Sequence, residues 1–316
     1  EIVELAVDLI LLLHRIHALG TGADGLGNAT VLAFLPGLGE IKEVMDAIEH
    51  IVPPPVYKDM WVLPLHSSIG IEEQELVFRR DPKRLKIILA TNLAESSITV
   101  ADVRYIIDFG LTKEVFYDPH TKYESLALTW TSRASADQRR GRAGRVQKGD
   151  VFRLYPQSFF FEEMEEFARP EMQRSPLEQL LLQVKLLAPF GSPKKILEQS
   201  LQPPKMSAID ASLKSLQLVG AIGLPTERCA DGELTYFGRV CAALPVNVHV
   251  SRMLMLAALF GELDSGCVLA AVLSVNDIFR KPLTKSLEFY RAKSYWAAGS
   301  ESDLIAVLNV FHEYTR

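Results

Sequence analysis

Cysteine is scarce in this chain, with three in 316 residues, at positions 229, 241 and 267. No two stand in a CxxC pair and no histidine cluster lies nearby. That spacing excludes a disulfide framework and a cysteine-based metal site, and reads as reduced core thiols of a cytosolic protein. Long apolar runs are also missing. The richest, Ile2 to Leu19, is broken by Glu4, Asp8, His14 and Arg15. It is too polar for a membrane span, lacks the basic start of a signal peptide, and is predicted to be a buried helix. Positive charge is not in excess: the formal net charge is −5. The whole-molecule field therefore repels nucleic acid, and any nucleic-acid surface has to be a local basic patch.

What is present is the composition of a folded globular protein, 48% hydrophobic and 23% charged. The length suggests two or three domains. From Thr30 to about Tyr155, short apolar runs alternate with helical patterns. The runs are Thr30–Leu35, Trp61–Leu65, Leu85–Ala90 and Arg104–Phe109. Between them lie a helical stretch from Glu40 to Ile51, with Ile41, Val44, Met45 and Ile48 on one face, and a helix near Glu72–Arg80. Fully apolar strands separated by helices predict an α/β fold, a parallel sheet with helices on both faces. Pro53-Pro54-Pro55 reads as a stiff surface connection, and Gly20–Gly27 as a flexible loop. Alternation from Lys113 to Trp130 around Asp118-Pro119 predicts a β-hairpin. After about Ala168 helices dominate, with amphipathic stretches at Leu177–Leu187 and Ala208–Leu218. A small wing is expected near Leu234-Thr235, and a packed helix pair from His249 onward. The last helical pattern (Leu304, Val307, Leu308, Phe311) runs to the end of the sequence, as expected of an excised fragment.

Two segments carry chemistry. Gln138–Arg145 reads QRRGRAGR. Its spacing predicts Arg142 and Arg145 on one side of a helix, with Arg139 and Arg140 pointing elsewhere as solvated charge. Two guanidiniums so placed can clamp a γ-phosphate, and an arginine finger of this kind contributes on the order of 10³–10⁵ in rate. The alternative is a solvated basic helix start. Ala90–Val100, ATNLAESSITV, follows the buried strand Leu85–Leu89 and puts small hydroxyl and amide side chains where parallel sheets bind ligands. A capped turn is the alternative there.

Together these segments resemble motifs V and VI of superfamily 2 helicases, in the spelling of the DEAH-box branch. Upstream, FLPGLGEI (34–41) resembles motif IV, and LHSSIGIEEQELVF (65–78) resembles the next family block. Within the branch, FLPGLGEI, LPLHSS and DGELTYFGRVCAALPVN are most similar to the Tudor-domain helicases of the germline Piwi-interacting RNA pathway. The resemblance covers essentially the whole chain. It implies a second RecA-like domain (1–165), a winged-helix domain (166–246) and a helical bundle of the ratchet type (247–316). It implies Arg142 and Arg145 on the γ-phosphate and Gln138 beside the nucleotide and its Mg²⁺. Phe78 is implied to stack on the base, Thr99 and Asp102 to lie at the nucleotide, and Thr91, Asn92 and Ser67 to touch RNA. ATP and Mg²⁺ are the cofactors so implied. RNA and proteins of the Piwi pathway are the partners, with no membrane, in cytoplasmic granules near the germ-cell nucleus.

Two departures from the pattern stand out. Arg140 replaces a small residue in the third place of motif VI, and Asp102 follows Ala101 where many relatives carry the aspartate one position earlier. No GxxxxGK[ST] loop and no DEAH tetrad occurs, so the chain is expected to be silent as an ATPase by itself. A catalytically silent scaffold and a DNA-directed helicase are the competing readings.

Overall fold

The computed structural model describes residues 1–316 apart from 19–28, 97–99, 101, 118–123, 144–147, 189–190, 228, 276–278 and 280–285. The glycine-rich loop, the Asp118-Pro119 tip, Thr99 and Arg145 therefore lie outside the described residues. The chain divides into two compact units. The first comprises 1–114 and 126–168, the second 115–125 and 169–316.

In the first unit, β1 (Thr30–Phe34), β2 (Met60–Leu65), β3 (Leu85–Ala90), β4 (Val103–Asp108) and β7 (Asp150–Arg153) form one parallel sheet in the order β2-β3-β1-β4-β7. Every residue of β1 and β3 is buried, because helices cover both faces. Odd-numbered Val31, Ala33 and Leu35 face the helices Ile2–Ala18 and Leu38–Ile51, which contribute Val7, Ile10, Leu13, Ile41, Val44 and Ile48. Leu32 and Phe34 face the opposite way, toward Val77, Ala94, Val100 and Ala143. The two-residue period of the strand thus divides one continuous apolar run between two cores. Among the described residues no single helix is long and apolar enough to cross a membrane.

The register aligns the strand ends. Leu65 pairs with Ala90, Ala90 and Asp108 both pair with Phe34, and Asp108 pairs with Arg153. From this row the chain leaves the sheet at its carboxyl edge, where parallel sheets place ligand sites. Here Gly110, at φ +72, turns the backbone into the hairpin of β5 (Leu111–Tyr117) and β6 (Glu124–Trp130). A Cβ at Gly110 would lie 2.6 Å from the Tyr155 ring, so only glycine fits both the conformation and the space.

Local differences from the expected elements have simple causes. Pro54–Tyr57 is a helical turn instead of a plain connection, since proline's fixed φ suits the first position of a helix. The helix expected near 72–80 is shorter, Ile71–Glu75, and tightens into a 3₁₀ turn at Leu76–Phe78. Strand β7 lies at the sheet's edge and is partly exposed, which leaves it without the apolar run that marks the others.

The second unit is helical. Leu181, Leu182, Ile209, Leu213, Leu216 and Cys241 share a core drawn from the helices Glu178–Leu187, Met206–Leu218 and Tyr236–Ala243. Among the described residues the expected wing is an antiparallel bridge, Ile222 to Leu234. Gly238, in the first turn of Tyr236–Ala243, packs on the Ala221 carbonyl so closely that a Cβ has no room. The helix pair Val248–Leu259 and Leu263–Leu273 turns at Gly261, φ +78.

Candidate functional site

The arginine-rich segment begins as a capped helix. The Ser132 side chain accepts a hydrogen bond from the Ser135 backbone N–H at 3.2 Å and starts the helix Arg133–Arg140. Gly141, a weak helix former, ends it. Arg142 and Ala143 follow in a turn closed by bonds from their N–H groups to the Arg139 and Arg140 carbonyls. Arg142 therefore sits in this turn, beyond the end of the helix, and the other finger candidate, Arg145, lies outside the described residues. Gln138 is exposed and Arg142 half-buried.

Arg139 overturns the expectation of a solvated charge, since it is 1% exposed. Its Nε donates to Glu95 Oε2 at 3.1 Å and its Nη1 to Asp108 Oδ1 at 2.8 Å. The guanidinium lies 5.1 Å from the centre of the Phe34 ring and reaches the Leu111 carbonyl at 3.5 Å. Asp108, fully buried at the end of β4, also accepts from the Tyr155 hydroxyl at 3.2 Å and the Gly110 N–H at 3.0 Å. Burial first, and the Asp108 carboxylate second, push the Tyr155 phenol well above its ordinary pKa, so it stays a donor. Helical periodicity missed this because a charge on the buried side of a short helix looks like any other arginine in an arginine-rich run. The clue was the pair of acidic residues, Glu95 and Asp108, at the ends of apolar segments.

Glu95 is the second residue that the sequence reading passed over. It lies in the helical turn Leu93–Ser96, three residues after Asn92, and its N–H donates to the Asn92 carbonyl at 2.9 Å. Its carboxylate accepts from Ser135 Oγ as well as from Arg139, and its own carbonyl accepts from the Arg142 guanidinium. Arg140, the departure from the family spelling, is exposed and lies 3.6 Å from Asp137, which also holds Arg153 at 2.9 Å.

The backbone flanking Phe78 and the Asp102 carboxylate are tied together at the opposite, amino end of β3 and β4, through a residue not singled out before. Lys86 is buried in β3. Its Nζ donates at 3.1 Å to the carbonyls of Val77 and Arg79, on either side of Phe78, and lies 2.9 Å from Asp102 Oδ2. Phe78 itself is 55% exposed, while Val77 beside it is buried with Val100 and Ala143 in the core of one sheet face. The lone lysine in LKIILA was the available signal, since a buried ammonium needs partners. Asp102 also lies 3.9 Å from the exposed Arg80.

The RNA candidates divide. Ser67 and Asn92 are exposed at the carboxyl ends of the neighbouring strands β2 and β3, whereas Thr91 is 6% exposed. The Ser67 turn is held by Gln74, whose side chain donates to the His66 and Ile69 carbonyls, and by Ser68 on His66 Nδ1. Burial, with Lys113 nearby, lowers the His66 pKa. Lys113 in turn pairs with Glu40 at 2.8 Å, joining the base of the hairpin to the helix Leu38–Ile51. Among the described residues no cluster of His, Cys, Asp or Glu is arranged to hold a metal ion.

This sheet, its hairpin and its arginine-rich turn define a RecA-like domain followed by helical domains. Residues 31–147 match the helicase conserved C-terminal domain. Over 99% of its length it is 40% identical to the ATP-dependent RNA helicase TDRD9 of Mus musculus, and over 90% it is 43% identical to TDRD9 of Danio rerio. It is 38% identical, over 97% of its length, to the probable ATP-dependent RNA helicase spindle-E of Aedes aegypti. The chain spans about a quarter of these relatives, 23%, 21% and 23% of their lengths.

Proposed function

We propose that this chain is the second half of an ATP-driven RNA helicase motor. One observation carries the reading: the residues that pack one sheet face (Leu65, Leu93, Ala143, Val77, Val103) adjoin in sequence the exposed Ser67 and Asn92, then Arg142, Phe78 and Asp102. In this reading the polar edge holds the RNA backbone, through hydroxyl and amide groups that fix position without reading sequence. Gln138, Arg142 and Arg145 meet the γ-phosphate. Phe78 stacks on the base, Thr99 and Asp102 complete the nucleotide wall, and Lys86 holds Phe78 and Asp102 in register. The phosphate loop and the ligands of Mg²⁺ come from a first RecA-like domain, because this chain has neither a GxxxxGK[ST] loop nor a DEAH tetrad. When bound, ATP and Mg²⁺ would supply the phosphoryl chemistry, and this half would supply positive charge where negative charge develops.

Residues 166–246 serve as a winged helix, supported by the Ile222–Leu234 bridge before the helix Tyr236–Ala243, and 247–316 as a ratchet-type bundle. The resemblance to Tudor-domain helicases supports a role for the full-length protein in germline Piwi-interacting RNA biogenesis and transposon silencing. Its partners are then Piwi-pathway proteins, and its location is cytoplasmic granules beside the nucleus.

RNA affinity of full-length protein without nucleotide tests the polar edge. Asn92→Ala is expected to weaken binding several-fold at every RNA sequence, as loss of a backbone hydrogen bond of about 0.5–1.5 kcal/mol does. Thr91→Ala, at a buried position, costs less affinity and more thermal stability. Loss confined to one RNA sequence, or unchanged affinity in Asn92→Ala, would remove Asn92 from the RNA surface.

A further inference from the structure

We propose that Glu95 and Arg139 couple RNA contact at the carboxyl edge to the placement of Arg142, a positioning role that rests on the motor reading above. Several elements meet at Glu95. The Glu95 N–H closes its helical turn on the Asn92 carbonyl, so a displacement of Asn92 displaces Glu95. The Glu95 carboxylate holds Ser135 Oγ and Arg139 Nε, both on the helix that leads into the arginine turn. The Glu95 carbonyl accepts from Arg142. Arg139 carries the same linkage further, to Asp108 at the end of β4 and to the Leu111 carbonyl where the hairpin begins. One turn therefore ties an exposed RNA-facing amide to the arginine nearest the nucleotide.

The linkage is built of buried charge. Arg139 and Asp108 are shielded from water, and a forked guanidinium is the side chain that can satisfy two carboxylates at once. Such a cluster resists sliding, because any arrangement that breaks one bond leaves a charge uncompensated. It transmits displacement as a unit.

The test uses full-length protein, polyuridylate as the RNA probe, and two variants. Arg139→Lys keeps the charge and loses the fork. Glu95→Gln keeps the shape and the Ser135 contact and loses the charge; it provides the readout should Arg139→Lys fail to fold. In both, turnover falls more with RNA than without it, so the ratio of stimulated to unstimulated kcat is expected to drop about tenfold, within the range of site-to-site coupling. The KM for ATP stays within about twofold, since neither residue touches the nucleotide. An unchanged stimulation ratio in a folded variant, with both rates reduced by the same factor, overturns the coupling role and leaves Arg139 as a fold-stabilising residue. Wild-type protein that RNA does not stimulate overturns the motor reading, and the coupling with it.

Discussion

Arg142→Lys and Arg145→Lys are each expected to lower ATP turnover of the full-length protein by on the order of 10³, the scale of an arginine finger. Charge is conserved in both, so the loss isolates geometry. A γ-phosphate in transfer spreads charge over several oxygens, and a planar guanidinium meets two of them where an ammonium meets one. Nucleotide-free RNA affinity is expected to change little in Arg142→Lys. A lysine there can still donate to the Glu95 carbonyl that accepts from Arg142, and the polar edge keeps Ser67 and Asn92. If the segment were only a basic surface, both variants would turn over normally, and losses would follow total charge and fade with salt. Steady-state turnover beside nucleotide-free RNA binding distinguishes the two; near-normal turnover in Arg145→Lys ends the finger assignment.

Arg139→Met is expected to destabilise the first unit by about 3–5 kcal/mol, the penalty for removing one partner of a buried ion pair. The substitution leaves Asp108, with no exposure to water, and Glu95 facing each other without the cation that compensates them. For a unit of this size that corresponds to a fall of roughly 6–20 °C in Tm. Arg140→Met, one residue along, is the control. Its side chain is largely exposed and its pairing with Asp137 is worth at most about 1 kcal/mol. Thermal melts of the two variants should therefore differ widely although both lose one arginine from the same octapeptide. Equal melts would mean that the buried cluster contributes nothing beyond a surface charge.

That contrast also shows where sequence reasoning reached its limit. The parallel sheet was legible because β1 and β3, apart from Thr30 and Lys86, are apolar on both faces, which only a covered strand tolerates. The hairpin was legible from its alternation, and the helices Glu178–Leu187 and Met206–Leu218 from their period. Arg139, Arg140 and Arg142 could not be told apart by spacing alone. Which one is buried depends on Glu95 and Asp108, 44 and 31 residues away, brought together by strand order. Lys86 was hidden for the same reason: its partners Val77, Arg79 and Asp102 come from separate connections at the sheet's amino end. The family resemblance located the segments and named the roles; the ion pairs beneath them required the fold.

In the proposed reading this chain holds the arginine half of an RNA-dependent ATPase, and a first RecA-like domain holds the phosphates. ATP hydrolysis with and without RNA, by residues 1–316 alone and by the full-length protein, decides whether it does. Residues 1–316 should hydrolyse no ATP above background in either condition, and the full-length protein should turn over slowly until RNA is added. Robust hydrolysis by residues 1–316, or full-length turnover indifferent to RNA, would contradict it.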